Sequence, residues 1–334
     1  MARTDLVVAV SEAGGLGVLG GVSHSPDELR DAIREIRSRT DKPFGIDLIM
    51  PEQLLEKDPE YLGGLNEARA SISREKYDLL GELRTLIEPD TVWKQLEVIV
   101  EEAPPVFVSA LGNPGVMVPA LHARGVTVMS VVGTVKAARA CVDNGVDVVI
   151  AQGTEAGGHT GSIATMALVP QVVDAVEVPV IGAGGIADGR GLAAALCLGA
   201  QAVWMGTRFV ATVEAFGHER YKNMILESEA PEAVISRAYS GKTIRTFRNE
   251  WVREYETKEA AKFPFQIVNS NERLTAAMVR GDLNQGLAPV GQVCGLIREL
   301  RSAADIVREV VSEAASVLRG VSGLVLGEEV GSVR

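Results

Sequence analysis

A single unit recurs along the middle of this chain. A short β-branched apolar run ends in Gly or a small polar residue, and an amphipathic Ala/Leu/Arg-rich segment follows. The runs are GVLG (Gly17–Gly20), FGIDLIM (44–50), VFVSALG (106–112), VTVMSVVG (126–133), VDVVIAQG (146–153), VPVIGAGG (178–185) and AVWMGTRF (202–209). Helical patterns separate them, as at 25–38, 116–123, 135–144 and 189–198. Apolar runs without polar alternation are buried on both faces, which a parallel sheet covered by helices requires. From Gly112 to Phe209 the unit returns about every 20–30 residues, an interval that favours a (β/α)₈ TIM barrel over an open doubly wound sheet. A Rossmann fold is rejected, because the early AGGLGVLGG (13–21) follows a helix-like segment rather than a first strand.

Barrel closure needs eight strands, and the pattern supplies seven. Residues 4–13 (TDLVVAVSEA) read as a helix with no strand before it, so either the first strand of the α/β barrel is missing from this chain or another element fills its place. Residues 1–50 and 104–213 therefore form the barrel and cofactor-binding domain. Residues 51–103 are a charged helical insertion with Tyr61, Tyr77 and Trp93. Residues 214–334 read as a C-terminal helical cap, with helices at 272–280 and 303–318 and a loose end over 322–334.

With 46% hydrophobic and 23% charged residues in 334, the composition is that of a globular protein. The net charge of −11 repels phosphate backbones and anionic lipid, so neither nucleic acid nor a membrane is an expected partner. Three scattered cysteines, Cys141, Cys197 and Cys294, suit a reducing compartment, and no leader-like or membrane-spanning run is present, so a cytoplasmic location is expected. The assembly could be a homodimer.

Loops after barrel strands build active sites, and here they are rich in Gly. VIGAGGIADGRG (180–191) ends one strand and MGTRF (205–209) ends the last, where barrels commonly hold phosphate. Backbone N–H groups at Gly184, Gly185, Gly206 and Thr207 can approach an anion closely. The fifth run leads into AQGTEAGGHTG (151–161), which places His159 at the rim as a candidate proton carrier, while His24, His122 and His218 are poorly placed. No HxH, HExxH, CxxC or GxSxG pattern occurs, so neither a metal site nor acyl transfer is expected. A phosphate-bearing organic cofactor with one proton carrier remains.

These residues are familiar in combination. AGGLGVLGG, DKPFGIDL, GTEAGGHTG, PVIGAGGIADGRG, LGAQAVWMGTRF and GDLNQGLAPVGQVCGLI (281–297) resemble the nitronate monooxygenase (2-nitropropane dioxygenase) family of FMN-dependent TIM barrels. The resemblance covers about 5–50 and 104–320. It implies that FMN is bound, with Gln152 and Gly157 near the flavin and Ala183, Gly184, Gly185, Gly206 and Thr207 around its phosphate. It further implies that His159 is the base that deprotonates a nitroalkane, or sits beside an alkyl nitronate, on the way to a carbonyl compound and nitrite. Asp47 departs from the family's pattern, which has Asn in many relatives, and a carboxylate there would oppose an anionic reduced flavin unless paired or protonated. The same motifs, with GNP at 112–114, also resemble flavin-dependent enoyl-acyl-carrier-protein reductases, in which NAD(P)H reduces FMN and hydride passes to an enoyl thioester. A flavin-binding barrel without chemistry is a third reading.

Overall fold

The computed structural model describes residues 1–50, 89–263, 265–270 and 273–325. Seven strands form one parallel sheet: β1 (Gly17–Gly20), β2 (Phe44–Ile49), β3 (Val106–Leu111), β4 (Thr127–Val132), β5 (Val148–Gln152), β7 (Val180–Ala183) and β8 (Ala202–Trp204). Their order is sequential, each strand pairing in parallel with its neighbour. All seven coincide with the repeated apolar runs, and the curled sheet is that of a TIM barrel. Between the edges β1 and β8 lies a largely apolar cavity of about 840 Å3, which reaches from the barrel interior outward to Leu196 and Val311. A helix at Thr4–Glu12 precedes β1, as the sequence suggests.

Successive side chains on a strand point to opposite faces, so each strand feeds two layers. Val106, Val108, Met129, Ile150 and Ala183 pack inside the barrel. Phe44, Ile46, Leu48, Phe107, Val128 and Val149 point outward, against Leu29, Ile33 and Ile36 of the Pro26–Arg39 helix and Leu96 and Ile99 of the Pro89–Glu102 helix. The Pro26–Arg39 helix starts at a capping box, where Ser25 and Glu28 satisfy each other's backbone N–H groups. Arg30, Arg34 and Arg37 of that helix converge on Glu102, at distances of 3.0, 2.8 and 3.2 Å. This fixes the described end of the insertion onto the barrel wall; residues 51–88 lie outside the described residues.

After residue 214 the structure departs from an all-helical cap. Strands β9 (Ala233–Ser236) and β10 (Ile244–Phe247) form an antiparallel hairpin, and β10 also pairs with the two-residue strand β6 (Gly158–His159). Four-residue strands outside the repeat carry no periodic signal, and only tertiary pairing stabilises them. Within the expected 272–280 helix, the described residues form a short helix, Arg273–Thr275, continued by a π-helical turn at Ala276–Arg280. The final helix runs from Ala303 to Val325, beyond the expected end at 318 and into the stretch expected to be loose; residues 326–334 lie outside the described residues. It crosses the Gly189–Cys197 helix closely: a Cβ on Gly189 would stand 2.4 Å from the Ala314 nitrogen. Glu313 accepts the Gly189 N–H at 2.7 Å.

Candidate active site

Gln152, Gly157, Ala183, Gly184, Gly185, Gly206 and Thr207 line one cleft of about 170 Å3 at the C-terminal ends of β5, β7 and β8. His159 lines a second cleft of about 450 Å3, and Gln152 lines both. The Gln152 amide donates to the His159 carbonyl at 2.8 Å, tying the two clefts together. All eight residues singled out from the sequence thus meet at one end of the barrel.

The glycines show whether bare backbone is needed there. Gly184 and Gly185 have φ of +86° and +73°, a region that side chains rarely adopt. A Cβ on Gly184 would also stand 2.8 Å from the Gly153 carbonyl oxygen. Gly206 differs. Its φ is −97°, and an added Cβ would meet nothing within 4 Å. The fold itself does not require glycine at that position, and a side chain there would occupy open space at the cleft. These features fit a group with a phosphate tail held by backbone N–H groups.

The loop carrying His159 is fastened from three sides. The Glu155 carboxylate accepts from the Thr165 N–H and hydroxyl, at 3.0 and 2.9 Å. The Arg245 guanidinium on β10 donates to the Thr154 carbonyl at 2.9 Å. Gly157 lies so close to the tail that a Cβ would come within 2.7 Å of the Gly291 nitrogen. His159 Nε2 is 3.0 Å from Ser240 Oγ, which also accepts the Lys242 N–H at 3.3 Å. With Nε2–H donating to Ser240, Nδ1 is the basic nitrogen. Burial pushes the His159 pKa down to about 4, and the Lys242 ammonium adds to the effect. The imidazole is therefore neutral at neutral pH and able to accept a proton.

Several contributors escaped the sequence reading. Gly291, Pro289 and Val293 complete the wall of the smaller cleft, and the buried Tyr221 hydroxyl donates to the Pro289 carbonyl. They belong to or pack on GDLNQGLAPVGQVCGLI, a motif whose Gly and Pro content was the available signal. Arg237, Ser240 and Lys242 come from the hairpin and had none. Among the described residues no three His, Cys, Asp or Glu come together as metal ligands, and no helix is long and apolar enough to cross a membrane.

A TIM barrel whose rim joins a cleft of bare backbone to a neutral imidazole has the framework of a flavin-dependent oxidoreductase. The family model described as nitronate monooxygenase matches residues 1–313. A probable nitronate monooxygenase of Staphylococcus saprophyticus is 32% identical, over 94% of this chain and 92% of that protein. A hydroxy-methyl-oxo-octahydro-indene-carboxyl-CoA dehydrogenase of Rhodococcus jostii is 30% identical, over 97% of this chain and 92% of that protein. The nitroalkane oxidase of Streptomyces ansochromogenes superimposes with a TM-score of 0.79 at 29% identity, covering 96% of this chain and 94% of that one. The chain belongs to the nitronate monooxygenase family.

Proposed function

We propose that this protein binds FMN and oxidises alkyl nitronates, or the nitroalkanes from which they derive, with O₂ to a carbonyl compound and nitrite. The observation that carries the reading is a half-buried, neutral imidazole joined through Gln152 to a cleft of exposed backbone. Backbone N–H groups at Gly184, Gly185, Gly206 and Thr207 would hold the phosphate, with Gln152, Gly157 and Ala183 alongside. A flavin held there would supply the electron-transfer chemistry between the nitronate and O₂. His159 accepts the acidic C–H proton of a neutral nitroalkane, Ser240 fixes the ring, and the Lys242 charge favours the anion that forms.

The purified protein is expected to be yellow, to release FMN on denaturation and to produce nitrite from a simple nitronate without NAD(P)H. A colourless preparation that takes up no added FMN overturns the reading. The likeness to the CoA-ester dehydrogenase, together with Arg237 and Lys242 lining the His159 cleft, favours a second reading. Two cations suit the phosphates of an acyl thioester carrier, and the activity would be FMN-dependent reduction of an enoyl thioester by NAD(P)H. NADPH consumption that depends on an enoyl thioester distinguishes it.

Lys242 also supports a smaller prediction. Its charge depresses the His159 pKa after burial has done so, and replacing Lys242 with Met lets that pKa rise. The acidic limb of the pH–kcat/KM profile then moves to higher pH, since the base stays protonated further up the scale. A limb that stays in place would separate Lys242 from the base.

A further inference from the structure

Among the described residues nothing pairs β1 with β8, and the 840 Å3 cavity between them passes through the barrel wall. Val18, Met129, Ile181 and Trp204 of the barrel interior form its inner wall. Leu196 of the Gly189–Cys197 helix forms the outer wall, with Val307 and Val311 of the final helix. Val311 is 58% exposed, so the outer end opens at the surface. The inner end joins the bare-backbone cleft, since Met1, Trp204, Gly206 and Val210 line both. The lining is nearly free of charge. Asp47 is the one ionisable side chain among the described residues there, and burial raises its pKa to about 8, so it is uncharged at neutral pH. The Gly20 N–H, at the edge of β1, donates to the Ala2 carbonyl at 3.1 Å, which leaves that edge less polar.

The His159 cleft has the opposite character. Arg237 and Lys242 line it, and it shares no lining residue with the cavity in the wall. Each meets the bare-backbone cleft separately, one at Gln152 and the other at Trp204 and Gly206. An organic anion loses hydration in an apolar passage and gains attraction beside two cations, so the His159 cleft suits it. A small apolar gas has the reverse preference, because cavities lined by aliphatic side chains stay dry and take apolar atoms such as xenon. We propose that the passage between β1 and β8 admits O₂ to the flavin, separately from the cleft that admits the organic substrate. This rests on the reading that the barrel binds FMN and uses O₂, and adds the route by which the oxidant arrives. Ala202 stands at the inner end. It is in register with Ile181 of β7 and two residues from the inward-facing Trp204, so its side chain points into the barrel, and it is exposed there.

The test uses the full chain loaded with FMN, with Ala202→Phe to fill the passage and Val321→Phe as the control. Val321 is exposed on the same helix as Val311 but does not line the cavity. Photoreduced, substrate-free protein is mixed with O₂ and reoxidation is followed by absorbance. In that reaction O₂ takes an electron pair and two protons from reduced FMN and leaves as hydrogen peroxide. Ala202→Phe should slow it about ten-fold, the scale on which obstructed access lowers an association rate, and Val321→Phe should leave it unchanged. Ferricyanide, a charged oxidant that an apolar passage excludes, should reoxidise all three proteins alike. Equal slowing with both oxidants, or no slowing with O₂, overturns the route and leaves the FMN reading standing. Xenon NMR reads the passage without flavin. The FMN-free wild type should shift the xenon resonance more than Ala202→Phe does, and equal shifts overturn the proposal. Should Ala202→Phe fail to fold, Val311→Trp at the exposed mouth takes its place against O₂ and ferricyanide, with the same outcomes deciding. A wild type that binds no FMN, or whose reduced flavin does not react with O₂, overturns the earlier reading and this inference with it.

Discussion

His159→Ala should lower kcat/KM for a neutral nitroalkane by about 10²–10⁴-fold, the usual contribution of a positioned general base, while FMN stays bound. Preformed nitronate needs no proton removed, so its turnover should fall far less. The split arises because His159 stands in the 450 Å3 cleft, whereas the proposed phosphate contacts belong to the other. Equal losses on the two substrates would mean that the imidazole positions substrate instead of accepting the proton. No loss on either would assign the base elsewhere. The same group gives the fold an acid limit. Its pKa of about 4 lies below the ordinary His value, so the stabilising difference is full above about pH 6.5 and is lost as pH falls through that window. The difference amounts to about 3 kcal/mol, and His159→Ala should remove that part of the acid sensitivity, as seen in Tm against pH.

The second large effect separates two glycines of the proposed cradle. Gly206→Val should fold with nearly unchanged Tm yet bind FMN about 100-fold more weakly or worse, because its side chain enters space that the protein leaves open. Gly184→Val should instead lose about 3 kcal/mol or more of stability, since its φ of +86° and the Gly153 carbonyl at 2.8 Å both exclude a side chain. Thermal unfolding and FMN titration on the same two proteins check this. Tight FMN binding by Gly206→Val would move the phosphate away from β8.

The barrel strands were legible because each is a short apolar run, a property local to four to eight residues. Most are buried on both faces, with β8 at the sheet edge partly exposed. The turn after β7 was legible for a similar reason, since Gly184 and Gly185 adopt positive φ, whereas nothing in the fold requires glycine at Gly206. The hairpin was not. Ala233–Ser236 and Ile244–Phe247 are defined by pairing with each other and with Gly158–His159, about 80 residues upstream. Ser240 and Lys242 inherit that opacity, as their relation to His159 exists only after the chain has returned to the rim. Gly291 lies between: its motif was visible, but its approach to Gly157 was not.

His159 pairs with Ile244 on the accessory sheet, while the bare-backbone cleft lies mainly between barrel loops and the 289–293 segment. The proposed proton acceptor and the proposed cofactor mount are thus separately editable parts, joined chiefly through Gln152 and the loop behind it. Hairpin exchange between relatives that act on nitro compounds and on coenzyme A esters should retune the reaction while the yellow colour is kept.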